Sequence, residues 1–229
     1  PKYDTEKAKA DQMLADALNE GRGIMNYIGH GDVQFYYSIP FNISDVYDLE
    51  NNNMLPIIHN CACLVGHFAG NDCFSEAWLQ AENDDGPIGA VAYLGSAESQ
   101  WIGVPEYGQD EFVDLLCEEA CQTVGGLWFN SISYAMEVTS EFSQLATWNL
   151  FGDPSLCVRS KEPIYMAVEH SPNIIMGMSE FAVNAGVADA LVCLSRDNEI
   201  GARGFTGANG ILNLDISNIE LIPGFLTLT

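Results

Sequence analysis

Three short apolar runs, each broken by glycine, constrain the fold of this chain more than any other feature in it. The first is Ile24-Met25-Asn26-Tyr27-Ile28, closed by Gly29-His30-Gly31. The second is Leu55-Pro56-Ile57-Ile58-His59-Asn60-Cys61-Ala62-Cys63, which breaks toward Gly66, and the third is Ile88-Gly89-Ala90-Val91-Ala92-Tyr93-Leu94-Gly95. Short apolar runs bounded by glycine read as buried strands of a parallel sheet. Open α/β sheets collect catalytic groups at the carboxyl ends of their strands. The first two runs therefore deliver a histidine between two glycines, and a cysteine 33 residues later, to neighbouring strand ends. That pair is the minimum set for thiol nucleophilic catalysis.

The segments between the runs are helical. Ala8, Met13, Leu14, Ala17 and Leu18 recur at helical spacing and predict a helix over 4–20, stopped by Gly21 and Gly23. A strand over 24–29 follows, then a polar and aromatic stretch over 31–54 with a short helix near 44–49 and a turn at Asn51-Asn52-Asn53. The pattern continues with a strand over 56–62, a helix over 74–82, the third run as another parallel strand, and helices over 106–121 and 131–145. Alternation of this kind makes residues 1–160 an α/β domain. At Lys161-Glu162-Pro163 the character changes. Six short segments over 164–169, 180–185, 190–195, 200–205, 211–216 and 225–228 read as strands separated by Gly, Asn and Pro, so 161–229 is expected to be a small β-sandwich.

Composition narrows the function. With 48% hydrophobic and 17% charged residues the chain buries a core rather than staying disordered. Eight Lys+Arg against 32 Asp+Glu give a net charge of -24, which repels nucleic acid and anionic membrane surfaces. The acids are dispersed, as expected for solubility. They match no EF-hand loop, although a structural calcium ion on surface carboxylates stays open. No run approaches the ~18 apolar residues of a membrane span. The chain opens on Pro1-Lys2-Tyr3 without Met or a signal peptide, which leads us to expect a processed piece and leaves secretion open. Seven cysteines leave at least one thiol outside any intrachain disulfide.

On its own, Cys63 reads more readily as a buried structural thiol, the commoner fate of a free cysteine, than as a nucleophile. His30 shifts the balance, because a histidine flanked by glycines just past an apolar strand is poorly suited to a packed core. Backbone N–H groups where the strand gives way to Leu64-Val65-Gly66, ahead of a helix, are candidates for an oxyanion hole. The rival constellation is zinc: His59, Cys61, Cys63, His67 and Cys73 lie within 15 residues and are all ligand types. The spacing lacks paired C-x2-C knuckles, however, and His59, Cys61 and Cys63 share one strand face. No metal site is assigned.

Several blocks then resemble one family. Tyr27-Ile28-Gly29-His30-Gly31, Cys61-Ala62-Cys63-Leu64-Val65-Gly66 and Asp72-Cys73-Phe74-Ser75-Glu76-Ala77 are similar to gingipain-like cysteine peptidases of the caspase-like group. Gly86-Pro87-Ile88-Gly89-Ala90-Val91-Ala92, Gly108-Gln109-Asp110-Glu111 and Thr147-Trp148-Asn149-Leu150-Phe151-Gly152-Asp153-Pro154-Ser155-Leu156 continue the match in order, from about Gly23 to Arg159.

The resemblance implies a caspase-like domain with a mainly parallel sheet flanked by helices, followed by an immunoglobulin-like sandwich. It implies an endopeptidase acting on proteins or peptides, with Cys63 as nucleophile, His30 as acid/base, and Gly31 and the Cys63 N–H as oxyanion hole. No cofactor is required for such chemistry. It further implies cleavage after basic P1 residues, with Trp101 and Glu98 as candidate pocket residues in the loop Ser96-Ala97-Glu98-Ser99-Gln100-Trp101. An N-terminal subdomain or propeptide outside this chain and an extracellular or cell-surface setting complete the expectation. The competing expectations are an inert peptide-binding or tethering module of the same fold and a zinc-stabilised structural domain.

Overall fold

The three apolar runs supply three adjacent strands of one four-stranded sheet. The computed structural model describes residues 9–70, 72–101, 103–160, 165–197, 199–219 and 223–229. The chain divides into two compact units, Pro1–Lys161 and Glu162–Thr229. The first runs α1 (Ala10–Asn19), β1 (Ile24–Ile28), β2 (Gly31–Asp32), β3 (Phe35–Tyr36), β4 (Phe41–Asn42), α2 (Ile43–Tyr47) and β5 (Ile57–Cys61). It continues through α3 (Phe74–Gln80), β6 (Glu82–Asn83), β7 (Gly86–Pro87), β8 (Ala92–Ser96), α4 (Val104–Cys117), α5 (Val124–Thr139), α6 (Phe142–Leu145) and β9 (Trp148–Gly152). The first part of the expected opening helix, 4–8, lies outside the described residues.

The sheet has the order β1-β5-β8-β9. β1 and β5 are parallel with Ile24 opposite Ile57 and Ile28 opposite Cys61, and β8 is parallel to β5 with Ile57 opposite Ala92. Every residue of β5 and β8 is buried, which is what strands covered on both faces require. Side chains alternate across the sheet. Ile58 and Tyr93 pack on one face with Tyr27, Tyr36, Phe74 and Trp78, whereas Ile57, Ala92 and Leu94 pack on the other with Phe112 of α4 and Leu127 of α5. Each such large side chain contributes about 1.5–3 kcal/mol on burial.

Within the first unit the structure departs from the expected element boundaries. The third run starts as a strand at Ala92, not Ile88. Ile88 and Ala90 donate their N–H groups to the Ala81 and Trp78 carbonyls at 3.0 and 2.8 Å, so this part of the run caps α3 instead. Gly89 makes that turn at φ +82°, and a Cβ there would lie 2.3 Å from the Trp78 carbonyl oxygen. The last helices begin earlier than expected. Thr123 caps α5 by accepting from the Gly126 N–H, and Gly125 packs against Pro154, so the glycine pair belongs to the helix rather than preceding it. Finally, Trp148–Gly152 is a fourth strand, antiparallel to β8, with Ser96 opposite Trp148.

The second unit is an immunoglobulin-like sandwich of two antiparallel sheets. One has the order β10 (Glu169–His170), β11 (Glu180–Asn184), β14 (Ile211–Asp215); the other has β13 (Glu199–Phe205), β12 (Leu191–Arg196), β15 (Thr227–Leu228). Phe181, Val183, Val192, Leu194, Leu214 and Ile216 fill the space between them. Of the strand expected over 164–169, Ile164 lies outside the described residues and only Glu169 is extended in a ladder. Among the described residues no helix is long and apolar enough to cross a membrane.

Candidate active site

The carboxyl ends of β1, β5 and β8 supply the three walls of one cleft. Past β1, the Gly29 N–H donates to the Cys61 carbonyl at 3.1 Å and keeps the chain beside β5 for one more residue. His30 comes next, with its main chain fixed on every side. Its N–H donates to Ser38 Oγ at 3.2 Å, and its carbonyl accepts from the Tyr27 hydroxyl and the Tyr37 N–H, both at 2.9 Å. The imidazole itself is exposed.

Cys63 stands two residues past β5, where the chain reverses through Leu64 at φ +59°. A left-handed leucine costs about 1–2 kcal/mol, and neighbouring hydrogen bonds hold it there. Leu64 N–H donates to the Glu98 carbonyl at 3.2 Å and Gly66 N–H to the Ser96 carbonyl at 2.9 Å. These two N–H groups are therefore engaged, and α3 starts only at Phe74, so no helix N-terminus opens directly behind Cys63. The helix begins at Phe74, where the sequence places it, and the Leu64 and Gly66 N–H groups drop out of the oxyanion-hole candidates because they are already bonded. The Cys63 sulfur faces both polar groups of one peptide residue, accepting from the Gln100 N–H at 3.3 Å and donating to the Gln100 carbonyl at 3.6 Å.

Gly31 lies under the Cys63 turn. A Cβ on it would sit 2.9 Å from the Cys63 carbonyl oxygen and 2.8 Å from Val65 Cγ1. Its N–H direction follows from the hairpin. Tyr37 donates to the His30 carbonyl and Gly31 is opposite Tyr36, so 30/37 is a hydrogen-bonded pair and 31/36 a non-bonded one. The Gly31 N–H therefore points away from the hairpin.

The third wall is the loop after β8. Ser96 Oγ meets Thr147 Oγ1 at 2.9 Å, Ala97 N–H donates to the Thr147 carbonyl at 2.9 Å, and Trp101 N–H donates to Gln144 Oε1 at 3.0 Å. Gln100 Nε2 donates to Thr147 Oγ1 at 3.0 Å, and His67 Nδ1 lies 2.9 Å from the Ala97 carbonyl oxygen. His67 thus braces this loop. The resulting cavity of about 150 Å³ is lined by His30, Cys63, Gln100, Trp101 and Glu106, with Cys61 among the other contributors. Of the expected pocket residues, Trp101 enters it and is 74% exposed, while the exposed Glu98 side chain does not line it. Glu106, in the first turn of α4, does. Sequence reasoning missed it because an acid beside Pro105 reads as an ordinary helix start.

Behind the cleft lie buried polar groups. Tyr36 hydroxyl donates to Asn60 Oδ1 and meets the Tyr93 hydroxyl at 2.9 Å, Asn60 Nδ2 donates to the Leu94 carbonyl at 3.1 Å, and the Tyr27 and Tyr36 rings stack at 3.8 Å. Burial pushes both the Tyr36 and Tyr93 phenols far above the ordinary range, so both stay neutral. All seven cysteines are free thiols, and burial also raises Cys61 and, to about 11, Cys73. Among the described residues no group of three or more His, Cys, Asp or Glu side chains could hold a metal ion.

His59 is buried between the rings of Phe112 and Trp148, at centroid distances of 4.7 and 5.3 Å, and neither nitrogen has a hydrogen-bond partner among the described residues. Burial lowers its pKa to about 3. The unfolded chain binds a proton there below about pH 6.5 and the folded chain does not, so stability falls with pH until the folded value is reached. From pH 7 to pH 5 this removes about 2 kcal/mol. Urea titrations at the two pH values are expected to show that much less acid sensitivity in His59→Leu than in wild type.

A mainly parallel sheet that brings a histidine and a cysteine from adjacent strand ends to one cleft, with helices on both faces, defines a caspase-like α/β protein. Residues 2–159 match the family model described as Peptidase family C25, and the chain belongs to that family. Gingipain R2 of Porphyromonas gingivalis is 36% identical over 194 residues, covering 82% of this chain and 26% of that protein. Gingipain R1 of the same organism is 33% identical over 194 residues, covering 20% of that protein. The crystal structure of the Arg-specific cysteine proteinase gingipain R superposes with a TM-score of 0.78 at 32% identity, over 91% of this chain and 51% of that one. The complex of Porphyromonas gingivalis RgpB pro- and mature domains gives 0.77. The chain therefore spans about a quarter of the length of the curated relative Gingipain R2 and about half of these solved chains.

Proposed function

We propose that this protein is a cysteine endopeptidase in which Cys63 is the nucleophile and His30 the acid/base. The observation that carries the proposal is the convergence of both side chains on one cleft at adjacent parallel strand ends. The Cys63 sulfur attacks the scissile carbonyl carbon, its proton having passed to His30, and the developing oxyanion is received by the N–H groups of Gly31 and Cys63. Collapse of the adduct breaks the C–N bond as His30 protonates the leaving amine, leaving a thioester on Cys63. Water, deprotonated by His30, then hydrolyses the thioester and the thiol is restored. The Gln100 N–H, bonded to the sulfur at 3.3 Å, holds the attacking atom in place at the cleft. No cofactor enters these steps.

The finer parts of the proposal are cleavage after basic P1 residues, an extracellular or cell-surface setting, and a propeptide or N-terminal subdomain beyond this chain. The Arg specificity of gingipain R supports the first of these. The complex that the RgpB pro-domain forms with its mature domain supports the last. The deciding experiment is labelling with a peptidyl acyloxymethyl ketone followed by mass analysis. Alkylation of Cys63 alone among the seven thiols is the expected result. A chain that binds the peptide portion and leaves Cys63 unmodified is instead an inert peptide-binding module.

A further inference from the structure

We propose that the Tyr27 and Ser38 hydroxyls are positioning groups that aim the His30 imidazole for proton transfer to the leaving amine; this rests on the peptidase reading above. Among the described residues no side chain bonds to the imidazole, so within them its aim is set by its own main chain. That main chain is held by a closed ring of three residues. The His30 N–H donates to Ser38 Oγ at 3.2 Å, and the Tyr27 hydroxyl donates to the His30 carbonyl at 2.9 Å. Ser38 completes the ring by bonding to the Tyr27 hydroxyl. Gly29 makes room for it, since a Cβ there would lie 2.6 Å from Ser38 Oγ and 2.6 Å from the Tyr27 hydroxyl oxygen. The first glycine of Gly29-His30-Gly31 is thus required by the ring, as the second is by the Cys63 turn.

The ring is anchored on the sheet. Tyr27 is buried on β1 and stacks on Tyr36 at 3.8 Å, and the Tyr36 hydroxyl is tied to Asn60 of β5 and, at 2.9 Å, to the Tyr93 hydroxyl of β8. From the other face, Gln109 of α4 donates to the Tyr27 carbonyl at 3.0 Å and to the Asn26 side chain. The Tyr27 hydroxyl therefore has a fixed place relative to β5, the strand that leads to Cys63. Burial raises the Tyr27 phenol, so the group stays protonated and donates. Ser38, exposed in the turn between β3 and β4, ties the N–H side of His30 to the same hydroxyl. Catalytic groups must be held to within about 0.5 Å, and a misplacement of about 1 Å costs on the order of 10²-fold in rate. An exposed imidazole between two glycines meets that tolerance only if its main chain is held.

The test uses the full chain and two substrates that share the acyl part of a peptide the protein cleaves, one a p-nitroanilide and the other a p-nitrophenyl ester. Both need the Cys63 proton removed, but only the anilide needs a proton returned to its leaving nitrogen, because the ester releases nitrophenolate unaided. Tyr27→Phe keeps the stack on Tyr36 and removes only the hydroxyl. It is expected to lower kcat/KM at least about tenfold for the anilide and less than about threefold for the ester. Ser38→Ala is expected to shift the anilide-to-ester ratio the same way, and Ser38→Thr, which keeps the hydroxyl, to restore it. Ser38 is exposed, so this pair decides the matter even where Tyr27→Phe melts early. A ratio unchanged in both Tyr27→Phe and Ser38→Ala overturns the assignment and leaves the peptidase reading standing. A second measurement is independent of the chemistry. Hydrogen exchange at the His30 amide is expected to run at least fivefold faster in Tyr27→Phe, with the Gly66 amide across the cleft unchanged. Unaltered exchange at His30 overturns the assignment whatever the activity, and faster exchange in a protein that cleaves no peptide keeps the ring and removes the peptidase reading alone.

Discussion

Cys63→Ala is expected to lower kcat/KM on a cleaved peptide by roughly 10⁴-fold or more, and the double variant His30→Ala/Cys63→Ala by no more than that. The two side chains act in one step. Once the sulfur is gone there is no bond for the imidazole to help form, and once the imidazole is gone the amine departs unprotonated. Their losses therefore do not add, and a double-mutant cycle reads this as a large coupling. Both positions tolerate alanine structurally: His30 is exposed and held through its main chain, and Cys63 is half-buried with its sulfur bonded to a single loop residue. Thermal melts of the variants should stay close to wild type. Full cleavage by Cys63→Ala sinks the nucleophile assignment, and losses that multiply instead of saturating would place His30 outside the reacting pair.

Gly31→Ala is the second large effect. The added carbon meets Val65 Cγ1 at 2.8 Å, the Cys63 carbonyl oxygen at 2.9 Å and Ala62 Cβ at 3.0 Å, and one of these is backbone that cannot swing aside. Either the hairpin beginning at β2 or the Cys63 turn must move, and the Gly31 N–H moves relative to the sulfur. Loss of one oxyanion donor costs kcat about 10²–10³-fold. KM should change far less, because the ground-state carbonyl depends little on that donor. The kcat/KM split separates this from simple damage to binding, and an unchanged kcat removes Gly31 from the oxyanion hole.

The sequence carried the central sheet because β5 and β8 are buried on both faces and so contain apolar stretches such as Ile57-Ile58 and Tyr93-Leu94. It hid β9, whose Trp148-Asn149-Leu150-Phe151-Gly152 sits at the sheet edge and mixes polar with apolar residues. The two-residue strands β2 to β4 are too short for any alternation to register. Apolarity also misled at Ile88, where the run packs beneath α3 before it enters the sheet. In the site, His30, Cys63 and Trp101 were visible as residues at strand ends or in a matching loop. Glu106 was not, because its place beside Cys63 depends on how α4 is fastened to β5 through Cys61 and Pro105, a contact between residues 44 apart. Gln100 was equally hidden, since it serves Cys63 through its peptide group and any side chain would look the same.

The fastening of the third wall bears on the thermodynamics of occupancy. Ser96, Thr147 and Gln144 fasten the loop from Ala97 to Trp101 through hydrogen bonds within the protein itself. The conformational entropy of that loop is therefore surrendered during folding, not when a ligand arrives. A mobile wall would charge each binding event about 0.5–1.5 kcal/mol for every side chain it had to still. Here the cleft meets its ligand already formed, so differences in affinity among ligands should report their own chemistry and not the stiffness of the protein.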